Sequence, residues 1–399
     1  MTAQNASVVE KKRPLLLLAL SLAVFSTWLI TVTFQLLLIN IAHTFNVQIG
    51  TAGLVSAVGS VSGIAAGLLM AVFSIRFNHK LFLLIGLLCT SLAAVGFYLA
   101  PNFNVVLLTN IGVGTGIAFA TSMAYSIIGD FYPLQKRGRA IGCIVASTGL
   151  AYVVGSPIIG VLANLGGWRI TMIWLVLPIT LLSLVLAVVI IPKVSVKNQT
   201  NTGTESFLLG CKQAISNRSA ISILIVTVFT MAEGSIGFYA TSFFRSQFSM
   251  SIEFGSIVIM IGSILSSVGG AVSGLLVNRL GRKPLGTFTF LAAALFTLAF
   301  TFVPDFTSSW GLSTIRFFFS GMAFTAGGSL VMEQLPKFRS TMMSLNTVAM
   351  NVGMLLTSIT AGIALNNFGY QTLALTLGGF GVIGTILWVS MVKDPCKVQ

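Results

Sequence analysis

Long apolar runs alternate with short polar segments along the chain. Each run approaches the roughly 20 apolar residues that a helix needs to cross the hydrocarbon core of a bilayer, so each is predicted to be a transmembrane helix. The longest polar segment, 192–218, is predicted to be a linker between six-helix bundles at 1–191 and 219–399. The twelve predicted spans are residues 15–41, 49–72, 81–100, 104–129, 139–164, 169–191, 219–244, 252–277, 284–303, 308–333, 340–365 and 370–392.

The positions of lysine and arginine predict the orientation of these spans. With the N-terminus inside, 19 of the 22 basic residues fall on segments predicted to be cytoplasmic; Arg169, Arg245 and Arg316 remain. Cytoplasmic loops of membrane proteins carry such an excess of positive charge, so both termini and the linker are predicted to be cytoplasmic. The first apolar run is longer than a signal-peptide core, and we expect it to be a retained helix.

The two halves of the chain resemble each other. Landmarks in the first half recur 202 or 203 residues later in the second, and parallel repeats of this kind are typical of transporters. The pattern predicts an all-α membrane protein made of two pseudo-symmetric six-helix bundles. The four pairs of landmarks are Arg76 with Arg279, Arg137 with Arg339, Gly160 with Gly362, and Trp168 with Tyr370.

Composition supports a membrane protein and disfavours other classes. Hydrophobic residues make up 55% of the chain and charged residues only 8%, against about 25% charged in soluble domains. The net charge of +14 comes from short clusters between apolar runs, which indicates topology signals and contacts with anionic headgroups rather than nucleic-acid binding. We find no nucleotide loop, metal-ligand cluster or nucleophile constellation, and therefore expect no enzyme activity, cofactor or metal. The scattered cysteines predict no disulfide framework; they are Cys89, Cys143, Cys211 and Cys396.

Several motifs resemble those of the major facilitator superfamily over nearly the whole chain. The segment after the eighth span reads Asn278-Arg-Leu-Gly-Arg-Lys283, and the segment after the fourth reads Pro133-Leu-Gln-Lys-Arg-Gly-Arg-Ala140. The fifth span carries Gly149 and Gly155-Ser-Pro-Ile-Ile-Gly160, which resembles the antiporter motif of the drug and sugar efflux branch. The resemblance implies a twelve-helix transporter of that branch.

The fifth span also contains a candidate hinge. Pro157 removes a backbone hydrogen bond, and the flanking Gly155 and Gly160 let neighbouring helices approach closely. We expect this span to bend during transport. The alternative reading is ordinary tight helix packing, and the sequence leaves it open.

A cytoplasmic gate is implied by the family resemblance. In this reading basic loop residues engage carboxylates at the ends of the fourth and tenth spans, which are related by the 203-residue repeat. The same basic residues also serve as topology signals, and both readings stay open. The candidate gate residues are Arg76, Asp130, Arg137, Arg279, Arg282 and Glu333.

The sequence departs from the family pattern in two places. In the loop after the second span, Ile75 stands where the family has an acid and Asn78 where it has a glycine. The fourth span, around Asn110, has no arginine where many proton-coupled members carry one. Both departures weaken the prediction of standard drug/proton antiport.

One acid, Glu233, lies deep inside a predicted span. A charge at that depth is costly and is expected to have a partner. Arg316 of the tenth span lies at a depth within about 5 Å of Glu233, counted at 1.5 Å per residue. We predict that Glu233 binds the coupling proton and that Arg316 is its partner. The alternative is a static structural ion pair.

A substrate cavity is expected where aromatic, amide and methionine side chains meet on spans 1, 4, 7, 10 and 11. An apolar cavity with few polar anchors suits amphipathic solutes better than sugars, because a sugar needs many hydrogen-bonding partners. Methionine side chains adapt to ligands of varied shape. For each aromatic residue, packing or lipid contact is the alternative. The predicted cavity residues are Trp28, Thr31, Gln35, Asn110, Tyr125, Phe238, Tyr239, Met350 and Met354.

The sequence therefore predicts a secondary active transporter of a small amphipathic solute, working by alternating access as a proton-coupled efflux pump. Uptake or facilitated passage of a small organic anion that contacts Arg316 is the first alternative, and a membrane sensor without turnover is the second. For the transporter, the expected partners are the solute, a proton and the lipid bilayer, and we expect the protein to be a monomer. A multi-pass protein of this kind without a targeting peptide suits a prokaryotic cytoplasmic membrane.

Overall fold

The computed structural model describes residues 3–73, 78–132, 134–192 and 202–395. Within these ranges every regular element is a helix. The helices are α1 (Ala3–Thr44), α2 (Ile49–Ala52), α3 (Leu54–Phe73), α4 (His79–Leu99), α5 (Phe103–Phe131), α6 (Leu134–Val153), α7 (Gly155–Thr171), a π-helical turn (Met172–Val176), α8 (Leu177–Ile190), α9 (Thr202–Ser216), α10 (Arg218–Gly234), α11 (Gly237–Gln247), α12 (Ile252–Leu280), α13 (Arg282–Ala299), α14 (Phe306–Gln334), a 3₁₀ turn (Pro336–Phe338), α15 (Arg339–Asn367) and α16 (Tyr370–Met391).

Ten helical runs in the described chain are long and apolar enough to cross a membrane. Nine of them coincide with single predicted spans, and the tenth, Arg139–Ile190, covers the predicted span 139–164 and all but the last residue of the predicted span 169–191. The remaining predicted span, 284–303, falls on α13, which is not among the ten. The all-helical prediction is thus confirmed, whereas the count of twelve spans and the cytoplasmic termini stay predictions.

Short polar side chains begin several of these helices. Asn102 accepts a hydrogen bond from the backbone N–H of Val105 at 3.1 Å, and Asp305 accepts one from Ser308 at 2.8 Å. These bonds satisfy N–H groups that have no partner in the first turn of a helix. The Ser308 bonds also hold the pKa of the Asp305 carboxyl below its ordinary value.

Tertiary contacts divide the chain into two compact units. Unit 1 consists of Met1–Phe34 and Ser62–Thr200, and unit 2 of Gln35–Val61 and Asn201–Gln399. The boundary between Thr200 of unit 1 and Asn201 of unit 2 falls between α8 and α9, inside the predicted linker 192–218. The six-plus-six division at 1–191 and 219–399 stays a prediction.

Unit 1 is built around the closely packed pair α4 and α5. A Cβ atom at Gly86 would lie 2.9 Å from the Cβ of Phe119, so glycine is what allows this approach. The core around the pair contains Leu83, Met123 and Ile127, each at most 2% exposed. Close backbone approach of this kind is the usual way in which helices associate inside a bilayer.

Unit 2 contains an equally close pair, α12 and α14. A Cβ atom at Gly269 would collide with the backbone of Phe318, and one at Gly321 would collide with the backbone of Ser266. A second core lies where α10, α13 and α16 meet. There the fully buried Trp388 donates from Nε1 to the carbonyl of Lys283 at 3.1 Å.

Each unit closes a helix C-terminus with an equivalent lysine. In unit 1, Lys80 Nζ donates to the carbonyls of Val188 and Ile191, at 2.6 Å each, at the end of α8. In unit 2, Lys283 Nζ donates to the carbonyl of Val389 at 2.9 Å near the end of α16. The last carbonyls of a helix have no partner within it and carry partial negative charge, which a lysine neutralises. The two lysines are 203 residues apart, in register with the sequence repeat.

Candidate functional site

The candidate site of unit 2 lies at a break between two helices. Helix α10 ends at Gly234 and α11 begins at Gly237. At the break, Ser235 N–H donates to the carbonyl of Met231 at 3.0 Å, and Ile236 N–H donates to that of Glu233 at 3.1 Å. Inside a membrane, interrupted helix backbone is tolerated where it is buried in protein or lines a cavity, because its polar groups need other partners.

Glu233 stands in the last turn of α10, directly before this break. The residue is 4% exposed, and its Oε1 accepts a hydrogen bond from Thr297 Oγ1 of α13 at 2.5 Å. The same Oε1 lies 3.7 Å from Arg316 Nη1 of α14. One carboxylate of α10 therefore contacts two later helices of unit 2, α13 and α14, and the nearer contact is 64 residues away in the sequence.

Arg316 is fully buried. At 3.7 Å its contact with Glu233 is an ion pair without a hydrogen bond, and none of its three guanidinium nitrogens finds a hydrogen-bond partner among the described residues. Its Cζ lies 4.4 Å from the ring centroid of Phe317, within cation–π range. The guanidinium thus has free donors in a site that holds one acid.

Glycines make room for both charged side chains. A Cβ at Gly381 of α16 would lie 2.8 Å from Cγ of Glu233, and one at Gly237 would lie 3.3 Å from Nη2 of Arg316. Because the surrounding helices touch the charged groups this closely, the pair has little contact with lipid. Such a site can hold an acid in either protonation state, with the arginine as the counter-ion of the ionised form.

The predicted cavity residues are distributed over both units. In unit 1, Trp28 packs against Tyr152 with ring centroids 6.2 Å apart, and Tyr125 is 37% exposed. Thr31 is half-buried there and Asn110 is buried. A single cavity shared by all nine residues stays a prediction.

The other five of these residues belong to unit 2. Gln35 Nε2 donates to the carbonyl of Gly237 at the helix break, and Tyr239, two residues further on, is 1% exposed. Phe238 lies in edge contact with Tyr239, at 5.3 Å between centroids. On α15, Met350 Sδ accepts from the Asn346 amide at 3.6 Å. Met354, one turn further along α15, is half-buried.

The predicted gate carboxylates have partners within their own units. In unit 1, Asp130 Oδ2 lies 2.8 Å from His79 Nδ1. In unit 2, Glu333 Oε2 accepts from Arg339 at 2.9 Å. Arg76 lies outside the described residues.

The predicted gate arginines are placed as follows. Arg137 donates to the carbonyls of Tyr132 and Gly129, at 2.8 and 2.5 Å, and so closes the C-terminus of α5. Arg279 is exposed at the end of α12, and Arg282 begins α13. The gate itself stays a prediction, and for Arg137 the structure adds a helix-capping role.

The candidate hinge coincides with a break in the helix. Helix α6 ends at Val153 and α7 begins at Gly155, so Pro157 is the third residue of α7. Proline is tolerated in a first helical turn because the N–H group it lacks would have no partner there. The interruption therefore precedes Pro157. A Cβ at Gly155 would lie 2.6 Å from Leu29 Cδ2, so glycine allows the close approach of α7 to α1. Motion at this point stays a prediction.

Sequence reasoning missed two polar partners. Thr297 lies in an apolar run with nothing in its neighbourhood to mark it, and only the packing of α13 against α10 brings it to Glu233. The second is His79, the partner of Asp130; its neighbour Asn78 is a helix cap, accepting from Lys80 N–H at 3.0 Å. That cap places His79 in the first turn of α4.

Comparison with known proteins identifies the architecture. The model of the major facilitator superfamily matches residues 16–337. A bacterial homologue of the human lysosomal transporter Spinster, inward-facing and unoccupied, is similar at 18% identity over 95% of each chain, with a TM-score of 0.74. A variant of the nucleoside transporter NupG is similar at 15% identity, over 95% of this chain and 100% of that one, with a TM-score of 0.74. A D-xylose–proton symporter is similar at 17% identity, over 95% and 97%, with a TM-score of 0.76. Identities this low show a shared fold and leave the substrate open.

Proposed function

The chain belongs to the major facilitator superfamily, a family of multi-pass membrane transporters, and on that premise we propose that it is a secondary active transporter that couples solute movement to a proton carried by Glu233. Transport proceeds by alternating access, in which the substrate site opens in turn to each side of the membrane. The protein works as a monomer in the cytoplasmic membrane, with twelve spans and both termini inside.

The observation that carries this proposal is the buried ion pair at the helix break. Glu233 lies 3.7 Å from Arg316 and accepts from Thr297 at 2.5 Å, all within unit 2. Ionisable groups are rare inside membranes because each costs free energy, and those that persist mark ion or substrate pathways. The neighbouring cation stabilises the ionised carboxylate, and burial favours the neutral, protonated form. An acid in such a site can take up and release one proton per cycle.

We propose efflux of a small amphipathic solute as the transport mode. Support comes from the Gly155–Gly160 segment, which resembles the efflux antiporter motif. Support for the substrate class comes from the aromatic and methionine side chains of the predicted cavity, because pockets for amphipathic ligands are mostly apolar and use a small number of polar groups to fix orientation.

A second candidate is the uptake or facilitated passage of a small organic anion. The specific observation in its favour is that the guanidinium nitrogens of Arg316 find no hydrogen-bond partner among the described residues. A planar guanidinium with free donors suits a carboxylate ligand. In this alternative the substrate, rather than Glu233 alone, neutralises the arginine.

The test uses the purified protein in liposomes with an imposed pH gradient, with a fluorescent reporter of internal pH. Amphipathic cations, sugars and organic anions are added in turn. We expect an amphipathic cation to collapse the gradient with the native protein and not with Glu233→Gln. Glu253→Gln serves as the matched control, because Glu253 is an exposed acid in the first turn of α12. Collapse of the gradient by organic anions alone would favour the second candidate, and transport unaffected by Glu233→Gln would contradict the proton role.

A further inference from the structure

Helix α9 (Thr202–Ser216) exposes large apolar side chains, although it is not one of the ten membrane-crossing runs. Its 15 residues are fewer than a bilayer-spanning helix needs. Leu208, Leu209 and Ile215 are each more than half exposed. On the ten runs such side chains face lipid. On α9 they call for another explanation, because a cluster of exposed apolar side chains marks a binding surface or a contact with a membrane.

The opposite face of α9 is docked on unit 2. Gly210 and Ala214 are four residues apart and so share a face of the helix. Ala214 is buried in the core that contains Trp388. A Cβ at Gly210 would lie 2.9 Å from Thr341 Oγ1 and 3.1 Å from Phe338 Cδ1. This close packing fixes the rotation of α9, so the direction of its exposed side chains is set by the fold.

The exposed apolar side chains of α9 flank a lysine. Leu208 and Ile215 are seven residues apart and lie on one stripe of the helix. Lys212 is exposed and stands four residues after Leu208 and three before Ile215, at the edge of this stripe. A lysine packs its methylene groups beside apolar residues and carries its ammonium group to a polar layer. A stripe of this kind is typical of a helix that lies in the plane of a membrane surface.

Helix α9 leads directly into a membrane-crossing run. The run Arg218–Gln247 begins three residues after Ile215, and three residues of chain reach at most about 11 Å. Asn217, between the two helices, accepts from the backbone N–H groups of Ser219 and Ala220, at 3.0 and 3.2 Å. This cap starts α10 only two residues after the end of α9. Ile215 is therefore held close to the end of a span, where the bilayer surface lies.

The surroundings of the stripe are positively charged. Two acids at this end of unit 2 have basic neighbours: Glu333 accepts from Arg339 at 2.9 Å, and Asp394 follows Lys393 in the sequence. Glu205 stands near the start of α9, at the end away from α10. Basic residues next to a membrane span are attracted to anionic lipid headgroups. The exposed basic residues on and beside α9 are Lys212, Arg218 and Lys337.

We propose that α9 docks on the surface of an anionic bilayer, with Leu208 and Ile215 among the upper acyl segments and Lys212 at the phosphate groups. Apolar burial and electrostatic attraction then act on the same helix, which is how amphipathic helices bind membrane surfaces. Because Gly210 packs on the start of α15, the docked helix fixes the level at which α10 and α15 enter the bilayer. This docking is independent of the substrate and of the proton role of Glu233.

The test places nitroxide spin labels on α9 of the full-length protein, in vesicles of phosphatidylcholine with or without phosphatidylglycerol. Each label occupies one introduced cysteine, after the four native cysteines are replaced by serine. Collisions with oxygen, which concentrates in the bilayer, are compared with collisions with a water-soluble nickel complex. We expect oxygen collisions to exceed nickel collisions several-fold for Leu208→Cys and Ile215→Cys in the anionic vesicles. Gln213→Cys is the matched control, since Gln213 is exposed but turned about 140° from Leu208, and its label should collide mainly with nickel.

A second measurement keeps the native cysteines. Amide hydrogen exchange of the α9 peptide should be several-fold slower in vesicles with phosphatidylglycerol than in phosphatidylcholine alone. Lys212→Gln should abolish most of this difference, because it removes the charge at the edge of the stripe. Arg279→Gln is the matched control: it removes an exposed positive charge at the end of α12 and should leave the exchange of α9 unchanged.

Three results would overturn the docking of α9. Labels at 208 and 215 that collide mainly with nickel in both kinds of vesicle would place the stripe in water. Labels shielded from both reagents would mean that protein, rather than lipid, covers the stripe. Label depths and exchange rates that are the same in both lipid mixtures, and the same in Lys212→Gln, would remove the role of anionic headgroups. None of these measurements involves transport, so the liposome test of the proton role stays separate.

Discussion

The side-chain amide of Gln35 donates a hydrogen bond to the backbone carbonyl of Gly237, with 2.8 Å between Nε2 and the oxygen. Gly237 is the first residue after the break between α10 and α11. Gln35 therefore supplies a polar partner to interrupted backbone four residues from Glu233. We predicted Gln35 to line a substrate cavity, and the structure gives its amide N–H group a partner within unit 2.

Replacing Gln35 by leucine should destabilise unit 2. The substitution removes a buried donor and leaves the Gly237 carbonyl short of a partner, which costs about 1–2 kcal/mol. We expect a lower thermal unfolding midpoint for Gln35→Leu in detergent. Gln48→Leu is the control, because Gln48 is exposed and its side chain makes no cap hydrogen bond. An unchanged midpoint with weaker substrate binding would instead assign Gln35 to the substrate.

The Glu233–Arg316 pair should show strong coupling in a double-mutant cycle. Removing one partner leaves an uncompensated buried charge or forces Glu233 to bind a proton, so Arg316→Met should lower the free energy of unfolding by about 3–5 kcal/mol. Adding Glu233→Gln removes the orphaned charge and should restore much of that loss. The measurement is the thermal midpoint of the native protein, both single variants and the double variant. Strictly additive losses would show that the two side chains act independently.

A methyl group at position 381 should disturb the site through packing alone. The Cβ of Gly381→Ala would lie 2.8 Å from both Glu233 Cγ and Ala294 Cβ, which is closer than carbon atoms pack. We expect a loss of about 1–3 kcal/mol in stability, as for other overpacked cores. Gly379→Ala, on the same helix α16, is the control because its Cβ would meet nothing within 4 Å. Equal effects of the two substitutions would mean that helix propensity, and not contact with Glu233, decides.

The residue pair at the site could be predicted from the sequence because the sequence offers so few alternatives. Glu233 is the one acid deep in a predicted span, and a buried charge needs a partner at similar depth, so rise per residue sufficed to select Arg316. The structure places the two side chains 3.7 Å apart. The proton role assigned to them stays a prediction.

The polar partners of the site could not be predicted in the same way. Thr297 is one of many threonines in apolar runs, and its importance depends on which face of α13 meets α10. The roles of Lys80 and Lys283 as helix caps also depend on tertiary packing, since each reaches a helix more than 100 residues away. Charge counting explained these lysines as topology signals, and that explanation does not distinguish a capping lysine from a solvated one.

That distinction can be tested at Lys283. Its Nζ donates to the carbonyl of Val389, so Lys283→Met should cost about 1 kcal/mol through the lost bond and the uncompensated negative end of α16. Lys337→Met is the matched control: Lys337 is exposed and counts equally as a cytoplasmic positive charge. We expect a lower thermal midpoint for Lys283→Met alone, and recovery with Lys283→Arg, which keeps a donor within reach of the carbonyl. If both methionine variants match the native protein, the lysine contributes only charge, and its position 203 residues after Lys80 reflects the topology rule rather than a shared cap.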